Sequence, residues 1–97
     1  DKINEKYYSI NGGVNLNTEV RAEVIKNESF DPHFMVRVSY NDGKYKFIEV
    51  VPVDRKPPKV TINYPENVKK IIDKIDVKKL EIEIMKAIVE NLLGSNR

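Results

Sequence analysis

The spacing of apolar residues changes after Asn63. Before that point they alternate in steps of two, and from Pro65 onward they recur every three or four positions. The first period belongs to strands with one buried face and the second to amphipathic helices. In residues 18–26, Val20, Ala22 and Val24 alternate with Glu19, Arg21 and Glu23, which predicts a strand. Residues 34–40 and 45–51 form a β-rich pair around Asn41-Asp42-Gly43-Lys44. With Asp42-Gly43 as the central pair of a type I′ turn, Tyr40 faces Tyr45 and Val38 faces Phe47. Carried on strictly, that register sets Glu49 opposite Val36. The run Ile48, Val50, Val51 therefore predicts a change of phase there, of the kind a bulge provides.

Pro52 has no N–H for a ladder and is expected to end the strand. Residues 53–56 then form a loop, and Pro57-Pro58 a stiff extended entry into a last strand over 59–63, where Val60 and Ile62 share a face. At the amino end, residues 1–6 are polar and expected to fray. Tyr7, Tyr8 and Ile10 suit a short strand, Asn11-Gly12-Gly13 a turn, and Val14-Asn15-Leu16 a weak strand or loop.

Pro65 suits the first turn of a helix. Val68, Ile71, Ile72 and Ile75 follow helical spacing, and Asp76 either interrupts that helix or caps a second one. Leu80, Ile84, Ile88 and Leu92 then form one stripe, with Met85, Val89 and Leu93 beside it and Gly94 as a stop signal. Leu80, Ile82 and Ile84 also alternate as a strand would, but the stripe continues for three more turns in good helix formers. Helix is therefore the better reading, and it leaves Ile82 off the core face. Strands followed by helices predict an α+β domain, with an antiparallel meander of about four strands packed on C-terminal helices.

Composition narrows the classes. The 97 residues are 40% hydrophobic and 33% charged, which fits one domain over residues 1–97 with a modest core. The absence of cysteine excludes a disulfide scaffold and thiol chemistry. No apolar run approaches the ~20 residues of a membrane-spanning helix. No signal peptide is visible, so an intracellular home, cytoplasmic or nuclear, is expected, and a start at Asp1 suggests an excised or processed piece. The net charge of +2 is uneven: residues 1–43 carry −2, residues 44–79 carry +5 and residues 80–97 carry −1.

Candidate chemistry is sparse. His33, in Asp31-Pro32-His33, has a carboxylate nearby that could orient a general base, but no neighbouring nucleophile or metal ligand. Glu81, Glu83 and Glu90 do not converge on one helix face and read as solvated. Gly12-Gly13 lacks the following lysine and hydroxyl of a phosphate loop. Asn27-Glu28-Ser29 matches a glycosylation sequon, a triplet common by chance. No catalytic residue, metal site, cofactor or small-molecule substrate is expected. Lys44, Lys46, Arg55, Lys56 and Lys59 are candidates for a basic edge that contacts nucleic acid, although Tyr45 and Phe47 alternate away from the lysines. Arg55-Lys56-Pro57-Pro58 reads as a rigid connector in preference to a proline-helix ligand.

The stretch FIEVVPVDRKPPKVTI, residues 47–62, resembles the part of ubiquitin-conjugating enzymes where a meander strand ends in proline and a Pro-Pro pair opens the next strand. The layout of hairpin, proline and terminal helical segments is similar to the non-catalytic RWD domains of kinetochore proteins. The catalytic cysteine of the conjugating enzymes has no counterpart, and residues 1–26 read as strands where that fold opens with a helix. The resemblance implies a dimerising or docking module.

The apolar surplus of the last helix points the same way. Ile82, Met85, Val89 and Leu93 are expected to meet a protein partner or a second copy, unless both stripes serve only to cover the sheet. Binding of nucleic acid through the basic edge is the alternative, and a regulatory or accessory domain of an enzyme is a third class.

Overall fold

The computed structural model describes residues 17–94. Four antiparallel strands form one open sheet in sequential order: β1 (Glu19–Val24), β2 (His33–Asn41), β3 (Lys46–Lys56) and β4 (Lys59–Ile62). A single helical turn, α1 (Glu66–Lys69), leads through a 3-10 turn (Ile72–Lys74) into the long helix α2 (Val77–Gly94). The class is α+β, with helices on one face of a meander. The expected features of residues 1–16, including the Tyr7–Tyr8–Ile10 strand and the Gly12-Gly13 turn, lie outside the described residues.

Alternation decides which face is covered. Phe34, Val36, Val38 and Tyr40 of β2 and Val51 and Val53 of β3 are buried, and they meet Leu80, Ile84 and Ile88 of α2. Val20, Ala22 and Val24 of β1 pack against the same core. α2 lies across β1 and β2. Val68, fully buried, anchors α1.

The central hairpin is set one step further along than its Asp-Gly signal predicts. Tyr40 pairs with Phe47, Val38 with Glu49 and Val36 with Val51, and Asp42 N donates to Tyr45 O at 3.0 Å. Gly43 and Lys44 are thus the central pair, with Gly43 at φ 87°. Only one positive φ is needed, at the first central position, where glycine costs least. Asp42 takes up the turn: its Oδ1 accepts from Lys44 N (2.9 Å) and Tyr45 N (2.6 Å). This register removes the need for a bulge, and pairing runs unbroken from Asn41↔Lys46 to His33↔Asp54. Glu49 does fall on the core-facing row, but half-buried, where its carboxylate accepts from Asn67 Nδ2 at 2.7 Å.

Pro52 does not end the strand, and residues 53–56 are not a loop, because β3 continues to Lys56. Pro52 faces Met35 at a pair that exchanges no backbone hydrogen bonds with β2, since the bonded pairs alternate from Asp42–Tyr45. Its nitrogen therefore points towards β4 just beyond that strand's last paired residue, while its carbonyl accepts from Asn63 N at 2.9 Å. Pro57-Pro58 is a two-residue link with a cis peptide bond that closes a β3–β4 hairpin at Lys56↔Lys59, and not an extended lead-in.

The expected first helix is cut to one turn. Val68, Ile71, Ile72 and Ile75 are β-branched and propagate helix poorly, and Ile71 leaves helical geometry at φ −117°, ψ 11°. Asp76 caps the second helix, its Oδ1 accepting from Lys79 N at 3.1 Å. α2 then runs unbroken for 18 residues.

Candidate functional site

On α2, every residue three or four positions on returns to the same face. The core takes Leu80, Ile84 and Ile88, all within 1% of complete burial. The opposite stripe is Ile82, Met85, Val89 and Leu93, so the structure brings all four candidate partner residues together. Ile82, Val89 and Leu93 are 52%, 48% and 60% exposed, and Met85 is half-buried. Ile82, Met85 and Val89 line an open groove of about 530 Å³ whose rim is Lys78, Glu81, Lys86 and Glu90. The floor of this groove is apolar and its rim charged.

The rim charges are lightly held. Lys86 Nζ lies 3.4 Å from Glu83 Oε2 in an exposed pair, the kind that contributes little in water. Glu81 Oε2 accepts from Tyr64 Oη at 3.3 Å. Burial raises the Tyr64 phenol well above its ordinary range, and the Glu81 charge adds to the effect.

The five basic residues do not form one edge. Lys44 and Lys46 flank the β2–β3 turn, whereas Arg55, Lys56 and Lys59 lie at the far end of β3, roughly 30 Å away at strand rise. Arg55 is also committed to Asp31, with Nε–Oδ1 at 3.1 Å and Nη2–Oδ2 at 2.7 Å. Lys44 Nζ sits 5.7 Å from the centre of the Tyr45 ring.

His33 meets a carboxylate, but that of Asp54 across the β2–β3 ladder and not the nearby Asp31. Nδ1 and Oδ1 are 2.6 Å apart. The His33 bond holds the Asp54 carboxyl below its ordinary range, with a further contribution from Asn63. The ring lies edge-on to exposed Phe30 at 5.8 Å. Among the described residues no hydroxyl hydrogen-bonds to the imidazole, and no three His, Asp or Glu side chains are placed to hold a metal ion. Among the described residues, the pair orients the ring with no hydroxyl nucleophile bonded to it. In the sequon, the Ser29 hydroxyl donates to Ile25 O (2.7 Å) and accepts from Met35 N (2.9 Å).

The sequence reading missed one polar link. Tyr40, with no exposed surface, donates to Asp42 Oδ2 at 2.7 Å and accepts from Asp76 N at 2.9 Å. It thereby ties the hairpin turn to the start of α2. Its ring stacks on Phe47 at 5.1 Å and 10°. The His33–Asp54 pair and the stacking of Tyr40 on Phe47 follow from a register in which Tyr40 faces Phe47, which the Asp-Gly signal did not provide.

No helix among the described residues is long and apolar enough to cross a membrane. Comparison with known proteins found no matching family, no matching curated protein and no matching solved structure.

Proposed function

We propose that this chain is a non-catalytic protein–protein interaction module that docks through the outer face of α2. The observation that carries this reading is the continuous stripe of Ile82, Met85, Val89 and Leu93, left in solvent on a helix whose other face already completes the core. Large apolar side chains grouped beside a groove lose free energy when a partner covers them. The order of meander and terminal helices supports the docking role that the RWD-type resemblance implies. Separation of the basic residues into two groups weighs against the nucleic-acid reading.

The test is substitution within the groove. Met85→Asp and Val89→Asp leave the far-ultraviolet circular dichroism unchanged and abolish association, measured by sedimentation and by cross-linking in extract. Association that persists unchanged in both folded variants would overturn the proposal.

A further inference from the structure

The outer edge of β1 is an open hydrogen-bonding ladder. We propose that it takes an extended peptide as an added antiparallel strand, one whose charged row reads basic, acidic, basic. This surface is separate from the outer face of α2.

The ladder follows from register. Ile25 N donates to Met35 O at 2.8 Å, so the bonded pairs of β1 with β2 continue at Glu23↔Arg37, Arg21↔Ser39 and Glu19↔Asn41. Val20, Ala22 and Val24 therefore turn their N–H and C=O groups away from β2. β1 is an edge of the sheet, and among the described residues no group bonds to these outward donors and acceptors. Their complement is the backbone of another extended strand. The opposite edge, β4, is shorter, with four residues against six. Beside β1 runs a groove of about 930 Å³, lined by Ala22, Val24, Ala87 and Asn91 among others. The α2-facing side chains of an added strand enter it.

The other row names the occupant. Glu19, Arg21 and Glu23 are exposed and share the face turned away from α2. In an antiparallel addition they form the non-hydrogen-bonded pairs, whose side chains stand closest. Each charge then has one incoming residue directly opposite, on the same side of the sheet. The complement is a base opposite Glu23, an acid opposite Arg21 and a base opposite Glu19. Glu23 meets Arg37 through Oε1 at 3.6 Å and keeps Oε2 for the incoming base. Charges that guard an edge against unselected pairing thus select one kind of strand. A second copy of β1 centred on Ala22 would answer Arg21 and Glu23 but set Ile25 against Glu19. It would also bring another α2 onto the face where the first already lies across β1.

Fluorescence anisotropy with the full chain is the test, using the labelled synthetic peptide Val-Lys-Val-Glu-Val-Lys. Its charged residues face Glu23, Arg21 and Glu19 in turn. The peptide is expected to bind. N-methylation of the valine that faces Ala22 removes a ladder donor and abolishes binding, with no change to the protein. Arg21→Glu, at an exposed position, raises the dissociation constant roughly fivefold. The E19K/R21E/E23K chain binds the charge-reversed peptide Val-Glu-Val-Lys-Val-Glu as the wild type binds the original. Met85→Asp leaves peptide binding unchanged.

Equal binding of the N-methylated peptide, or indifference to Arg21→Glu, overturns the edge site. Loss of binding in Met85→Asp moves the peptide to α2, which overturns the edge site and leaves the docking role of α2 standing. Absence of peptide binding overturns the proposal outright. If that chain sediments as a dimer that Arg21→Glu dissociates, the edge belongs to a second copy; if it is monomeric, the edge is closed to incoming strands.

Discussion

The buried Tyr40 side chain links two elements of this fold. Its hydroxyl joins a turn carboxylate to the backbone that starts α2. Tyr40→Phe keeps the stacked ring but leaves Asp76 N without its acceptor and removes the hydroxyl that donates to Asp42 Oδ2. It should cost about 1–3 kcal/mol, the usual penalty for orphaning buried partners, as read from urea unfolding. Burial, then the bond to Asp42, raises the phenol from 10.0 to about 12. A folded pKa above the unfolded one means the contribution is whole below pH 10 and fades as pH rises through the folded value. The stability difference between wild type and Tyr40→Phe should therefore narrow above pH 10. Asp42 works on the acid side. Burial opposes its ionisation, but bonds from Tyr40 and from the backbone of Tyr45 and Lys44 prevail and lower its pKa. Its contribution is present above the ordinary carboxylate range and lost as pH falls through the lowered value. Gly43→Ala meets no clash, since nothing lies within 4 Å of the added carbon; the cost is the positive φ alone, about 1 kcal/mol, read as a lowered urea midpoint. That glycine was legible as a turn. The role of Asp42 was not, because one carboxylate can serve an aspartate turn or a type I′ pair, and only the partner strand decides.

At the scale of elements, period was a better guide than punctuation. Alternation in residues 18–26 and the helical stripe from Leu80 to Leu92 led to the observed β1 and α2, with Ile82 outside the core as expected. Proline misled at Pro52 and at Pro57-Pro58. A proline is tolerated within a strand wherever its nitrogen faces no partner, and such a position depends on where the neighbouring strand stops. Similar local ambiguity hid the brevity of α1, whose apolar spacing is helical but whose residues are β-branched. The two faces of α2 separate cleanly by mutation. Ile84→Ala should cost about 2–5 kcal/mol, because it opens a cavity under the sheet, while Ile82→Ala should stay within about 0.5 kcal/mol in the isolated chain. Thermal unfolding of both variants measures the contrast. Equal losses would mean that the outer stripe is packed against something within the chain.

Across the whole molecule, charge and apolar surface are sorted to different places. Helices cover one face of the sheet; the other carries Met35, Ile48, Val50 and Pro52, with Ile48 65% exposed. The basic excess of residues 44–79, visible as a run in sequence, is split by a long strand into two groups. Their separation of roughly 30 Å far exceeds the ~8 Å screening length at physiological salt. This divides what either group can do with a phosphate chain. A single-stranded oligonucleotide of about four nucleotides can reach Lys44 and Lys46, or Lys56 and Lys59, but not both, and Arg55 is held by Asp31. Counterion release from two phosphate contacts gives a slope of log affinity against log salt near −1.4, whereas five cations on one edge would give about −3.5. Fluorescence anisotropy across a salt series distinguishes these values. The shallow slope follows from the observed register and strand length. The steep one would require Lys44 and Lys59 to meet the same ligand, which the length of β3 forbids within one chain.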